Sequence, residues 1–175
     1  MACARTELNW NFIHMAAELF LTGSERDQLL SFPEEISRDD LAHYFLLTDE
    51  DHRVVRRQRG DVSRLGFALT LCAVRYLGFA PQVHSAPKLA VEFVASQLGC
   101  ASLVDGYAAR AMTRSAHTRR AFDYLGFRRA GDDDLDDLET WLTKRAESHH
   151  RPSVLFHLAC GRLYDLRIVL SARQF

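Results

Sequence analysis

Arg110, Arg114 and His117 lie four and three residues apart in Tyr107-Ala108-Ala109-Arg110-Ala111-Met112-Thr113-Arg114-Ser115-Ala116-His117-Thr118-Arg119-Arg120. On a helix those spacings stack the three side chains on one face, and no acidic residue stands between positions 106 and 122. Thr113, Ser115 and Arg120 add polar groups suited to phosphate oxygens, and Arg119 joins the expected contact set. Fixed cations of this kind do the chemistry of anion binding rather than of bond cleavage. The competing reading of the stripe is a set of salt bridges to the acidic run 132–139.

A second group has the same character. Arg53, Arg56 and Arg57 fall at i, i+3 and i+4, so they also share a helical face. Such a face can meet the backbone or the base edges of a major groove. The bland alternative is a solvated surface whose arginines pair with Asp49 and Glu50. Asp49-Glu50-Asp51 would repel phosphate at the start of that helix, so contact is expected from its C-terminal part and from the following Arg59 and Arg64.

Other residue patterns carry less. Asp132-Asp133-Asp134-Leu135-Asp136-Asp137 lacks the regular ligand spacing and central glycine of a calcium loop and fits the acid-loving start of a helix. Cys3, Cys72, Cys100 and Cys160 contain no close pair, so neither a metal finger nor a redox motif is supported. His149-His150 reads as an exposed helix end. Arg59-Gly60-Asp61 reads as a helix start with Asp61 as its N-cap. No nucleophile–base arrangement, phosphate-cradling glycine loop or carboxylate pair can be assembled. The expectation is therefore no catalytic residue, no metal and no cofactor.

The elements that must position these cations are helical throughout. Ser24 with Asp27, Ser37 with Asp40, and Thr48 before Asp49-Glu50-Asp51 mark three helix starts. The 65–77 stretch is almost wholly apolar and is predicted to be a long buried helix from about Val62, ending at Gly78. Arg75 near its end is read as structural. Pro87 and Gly99 bracket the next helix, a short one is expected over 102–107, and another over about 109–125 stops at Gly126. Lys144 and Arg145 close a helix opened by the aspartate run, and Pro152 opens the last. The fold class is all-α, with eight to nine helices in two small helix-turn-helix-like subdomains. The glycine and prolines of 78–87 place the boundary: an extension over 1–23, a first DNA-binding subdomain over 24–80 and a second over 86–175. Trp10, Ile13, Ala17 and Phe20 give the extension a weak amphipathic pattern.

Charge supports an anionic partner. The whole chain of 175 residues carries a net charge of −1, yet residues 53–129 hold 13 basic against 4 acidic side chains, a net of +9. Only Lys88 and Lys144 are lysine; arginine is the residue of bidentate phosphate and guanine contacts. No apolar run reaches a membrane span, and the interrupted N-terminus does not form a signal peptide, so the chain reads as cytoplasmic.

Arg59-Gly60-Asp61, Arg64-Leu65-Gly66-Phe67-Ala68-Leu69, Leu71-Cys72 and Arg75-Tyr76-Leu77-Gly78 together resemble the N-terminal region of Tn3-family transposases. The likeness continues through Phe93-Val94-Ala95 with Gln97-Leu98-Gly99, Tyr107 with Arg110, Thr113-Arg114 with His117, Leu125-Gly126-Phe127 and Ile168-Val169-Leu170, over roughly 20–170. This resemblance implies a bacterial, nucleoid- or plasmid-associated module that recognises terminal inverted repeats through two DNA-binding subdomains. In the family an RNase-H-like, Mg²⁺-binding catalytic domain follows, and this sequence, stopping at Phe175, is read as lacking it. The implied partners are double-stranded DNA and the remainder of the transposase. The alternative function is a protein-interaction or regulatory module that docks onto, or inhibits, a full-length transposase.

Overall fold

The computed structural model describes residues 22–24, 31–81, 83–104, 106–107 and 111–169. Among these the chain is helical, with seven α-helices and a single two-residue strand pair. The all-α class holds, and the count is lower than the expected eight or nine. One expected helix, over 24–30, falls mainly outside the described residues. Another, over 102–107, is not α-helical: its described residues bend and turn through Gly106 at φ 83°.

Two compact units divide the chain, one over Leu30–Leu125 and a second that contains the described residues 22–24 and 126–169. The first unit is organised around one buried helix. It contains α1 (Arg38–Tyr44), α2 (Asp49–Arg56), α3 (Asp61–Leu77), α4 (Lys88–Leu98) and α5 (Ala111–Tyr124). A 3₁₀ turn, Val83–Ser85, lies between α3 and α4.

Ten consecutive residues of α3, Leu65 to Val74, are buried. A helix buried on every side must be covered all round, and α1, α2, α4, α5 and the 3₁₀ turn all pack on it. The helix begins at Asp61 with Gly60 as N-cap, correcting the expectation that Asp61 caps it. Gly60 sits at φ 80°, a conformation that L-residues rarely adopt. At the other end Gly78 terminates α3 in the left-handed conformation, its N–H bonding to Val74 O at 2.9 Å. The 78–87 stretch lies inside this unit, with Phe79 and Val83 buried.

Gly66 is the closest approach in this core. A methyl group there would overlap the ring of Tyr107, so the bare backbone lets that aromatic ring lie directly against α3. The Thr70 hydroxyl one turn later donates to Gly66 O at 2.8 Å. Its oxygen lies 3.3 Å from Tyr107 Oη, which in turn is 2.9 Å from His117 Nδ1.

The second unit is built from β1 (Arg128–Arg129), α6 (Asp132–Ala146), α7 (Pro152–Asp165) and β2 (Ile168–Val169). The aspartate run opens α6, and Pro152 occupies the first turn of α7. The strands pair in parallel, Arg128 with Ile168 and Arg129 with Val169. Phe127, Ala130 and Ile168 are buried beside this short ladder, but neither α6 nor α7 contains a fully buried residue. Asp134 accepts from both terminal nitrogens of Arg128, at 2.6 and 2.7 Å, and from Gly131 N at 2.8 Å. Those bonds hold its carboxyl down at about 2. The guanidinium groups of Arg145 and Arg162 each lie 5.0 Å from the centroid of the Trp141 ring.

Candidate nucleic-acid interface

The short helix α2 cannot be stable by propensity alone, because it has only eight residues and isolated helices under about 12–15 residues are marginal. It is held at its first turn. Thr48 Oγ1 accepts from Asp51 N at 3.2 Å, and Thr48 N donates to Asp51 Oδ2 at 2.8 Å, closing a capping box. Asp51 is wholly buried. Its carboxylate also accepts from Arg75 Nη2 at 2.8 and 3.0 Å and from Tyr124 Oη at 2.9 Å.

One side chain thus fastens α2 to the ends of both α3 and α5. Burial alone would raise the Asp51 carboxyl, but the Thr48 amide and Arg75 hold it below the usual carboxylate range. Burial, followed by the bond to Asp51, pushes the Tyr124 phenol up to about 12. Because Asp51 is consumed inside the protein, only Asp49 and Glu50 remain exposed at the start of α2. Glu50 is paired with Arg53.

The last turn of α2 and the following corner present the other cations. Arg56, Arg57 and Arg59 are exposed, and among the described residues their side chains have no ion pair or hydrogen bond. Arg64, in the first turn of α3, folds back to donate from Nε to Gln58 O at 3.1 Å and from Nη1 to Asp61 Oδ1 at 3.3 Å. Gln58 is buried, and its side-chain Oε1 accepts from Arg120 Nη1 at 2.9 Å. The α2–α3 corner and the middle of α5 therefore meet at Gln58, which orients one arginine through its main chain and another through its side chain.

Along α5 the expected stripe divides. Arg119 and Arg120 are exposed, while Thr113 and Arg114 are half-buried. His117 is 5% exposed and turned inward. It bonds to Tyr107, and its ring stands edge-on to Phe67 at 5.1 Å. Burial, with the nearby charge of Arg120, lowers the imidazole to about 4. With that value it is uncharged at neutral pH, and little of its surface reaches solvent. Arg110 lies outside the described residues.

A small cleft opens beside the corner, between α2, α3 and α4. His52, Arg56, Asp61, Arg64, Gln97 and Cys100 line it. Among the described residues no group of three or more His, Cys, Asp or Glu is arranged to hold a metal ion, and no helix is long and apolar enough to cross a membrane.

A family model described as "Domain of unknown function (DUF4158)" matches residues 20–174. The chain belongs to the DUF4158 family. It matches the N-terminal region of Tn3-family transposases. It is 35% identical over 161 residues to the transposase for transposon Tn501 of Pseudomonas aeruginosa, covering 90% of this chain and 16% of that protein. The transposase for transposon Tn21 of Escherichia coli is 30% identical over 161 residues, with the same shares. The transposase for transposon gamma-delta of Escherichia coli (strain K12) is 31% identical over 156 residues, covering 86% of this chain and 16% of that protein. The chain thus spans about 16% of the length of these relatives.

Three residues that organise the surface of this DUF4158 domain escaped sequence reasoning. Gln58 stood unmarked at the end of an arginine-rich helix. Asp51 looked like one of three interchangeable acids, and Tyr124 like an ordinary aromatic near a helix end. Of the three, Asp51 alone carried a usable signal: it is the third residue after Thr48, the position that closes a capping box.

Proposed function

We propose that this chain is a sequence-specific double-stranded DNA-binding module that recognises transposon terminal inverted repeats, with the remainder of a transposase as its natural partner. One observation supports this reading: Gln58 bonds to both Arg64 and Arg120 and so ties together two stretches that also carry the exposed Arg56, Arg57, Arg59 and Arg119. Around them α1 and α2, separated by residues 45–48, both pack on α3. A helix-turn-helix reader likewise presents a short helix to a groove, and the proposal gives that role to α2. The names of the relatives agree with a role in transposition. Arg53, Thr113 and Arg114 complete the proposed contact set, together with Arg110, which lies outside the described residues, and His117 supports it from within.

If those six arginines each neutralise one phosphate, log affinity falls against log salt with a slope of about −5. A mobility-shift titration comparing a terminal inverted repeat with scrambled duplex tests the reading. Tighter binding to the repeat is expected. Equal affinity for both sinks the specificity, and no shift with either sinks DNA binding altogether. In this reading the chain holds DNA without cutting it, and Mg²⁺-dependent cleavage by the purified chain would overturn that part.

A second reading is favoured by α6 and α7, in which no residue is fully buried and the large apolar side chains stay partly exposed. Such surfaces suit a protein partner, and the chain would then dock onto or inhibit a full-length transposase. Capture of the remaining transposase segments in a pull-down, with no DNA shift, would favour this alternative.

A further inference from the structure

The cleft between α2, α3 and α4 is lined by two arginines from different elements. Arg56 is the last residue of α2, and Arg64 lies in the first turn of α3. Arg56 has no partner among the described residues. Arg64 is aimed by its Nε bond to Gln58 O, and Nη1 rests on the Asp61 carboxylate at 3.3 Å. Gln97 forms a fixed part of the wall, because it accepts from Leu47 N at 2.8 Å and donates to Phe45 O at 3.0 Å.

Two arginines and one aspartate line the cleft, which leaves it with a positive balance. The carboxylate is loosely held: in the Arg64–Asp61 pair the side chains are 42% and 70% exposed. Exposed pairs of this kind contribute little to folding, so the exchange of one anion for another on Arg64 is cheap. A phosphodiester carries two unesterified oxygens, and guanidinium forks match them better than a lone carboxylate does.

We propose that this cleft seats one backbone phosphate of bound DNA, and that Asp61 is an internal stand-in displaced from Arg64 when the phosphate arrives. The proposal rests on the DNA-binding reading above and assigns one of its contacts. Asp61 is then a built-in competitor that weakens binding to every duplex, whereas Arg56 and Arg64 strengthen it.

The test is a double-mutant cycle on the full chain, read by fluorescence anisotropy with a labelled inverted-repeat duplex at fixed salt. Arg64→Ala should weaken binding about tenfold, and Arg56→Ala should act in the same direction. Asp61→Asn should tighten binding about two- to fivefold, and that gain should disappear when Arg64 is already alanine. An equal gain in both backgrounds would mean that Asp61 acts only through long-range charge, and the displacement would be refuted. Weaker binding by Asp61→Asn would refute it too. Asp61→Ser provides a second version should asparagine disturb the start of α3, and circular dichroism confirms that each variant is folded. Should the unmodified chain bind no duplex, the DNA reading fails first; should it bind and the cycle show no coupling, only this assignment fails.

Discussion

The arginines of 53–64 and the polar residues of 113–120 meet at Gln58, yet the two stretches make opposite use of similar spacing. In the first, a short helix ends in side chains that project from the protein, and its interior anchor is the acid Asp51. In the second, a longer helix keeps His117 in the core and offers only part of its polar face to solvent. The difference teaches that a periodic row of basic side chains names residues sharing a helical face, while the direction of that face is set by what the neighbouring residues must bury. On α5 the buried row also contains Ala121, one turn beyond His117. On α2 it contains Val54 and Val55, which turn Arg53, Arg56 and Arg57 outward.

The largest effect that can sharpen this contrast comes from the anchor. Asp51→Ala leaves Arg75, Tyr124 and the Thr48 amide without their shared acceptor. Removing one partner of a buried ion pair costs about 3–5 kcal/mol. Urea denaturation should show a loss of that order, and DNA binding should fail with it as α2 loosens. A loss below about 1 kcal/mol would mean that the network does not hold α2, on the ordinary range of surface substitutions.

The interior histidine gives the next effect, through pH. Its folded value of about 4 lies below the ordinary 6.5, so between those limits the unfolded chain binds the extra proton. Stability from this group is complete above about pH 6.5 and is lost as pH falls toward 4, on the order of 3 kcal/mol in the limit. Asp51, also held low, acts with the same sign further down. Stability curves of the parent and His117→Phe, measured from pH 7 to 4.5, should converge on acidification as the parent loses this contribution. Parallel curves would place the titration elsewhere.

The smallest effect on folding, and the most direct separation of the two stretches, comes from Arg57→Ala combined with Arg59→Ala. Stability should change by no more than about 0.5 kcal/mol, whereas the salt slope of DNA binding should flatten by about 2. His117→Phe should do the reverse, altering stability while leaving the slope of the folded protein unchanged. A variant pair that failed to separate in this way would erase the distinction between presenting and supporting stretches.

Local chemistry makes much of this legible in the sequence itself. The run from Leu65 to Val74 could only be a buried helix, and Gly78 could only end it. Thr48 announced α2, and Pro152 announced α7. The rest depended on partners remote in sequence. Nothing beside Asp51 points to Arg75, 24 residues away, or to Tyr124, 73 residues away. His117 looked like the end of a cationic stripe because its bond to Tyr107 and its contact with Phe67 exist only once α5 lies on α3. The ladder between 128–129 and 168–169 spans two residues on each side, too short for alternation to register.

The indole of Trp141, with its two neighbouring guanidinium groups, has a practical consequence. The sequence contains two tryptophans, Trp10 and Trp141, and neither lies in the unit Leu30–Leu125. With Trp10 replaced by phenylalanine, emission excited near the red edge of indole absorbance would come from Trp141 alone. The unit that carries the proposed arginine corner would be silent in that channel and visible instead through the imidazole resonances of His117. The two halves of the molecule can then be melted and watched separately in one sample, each by its own optical or magnetic signal.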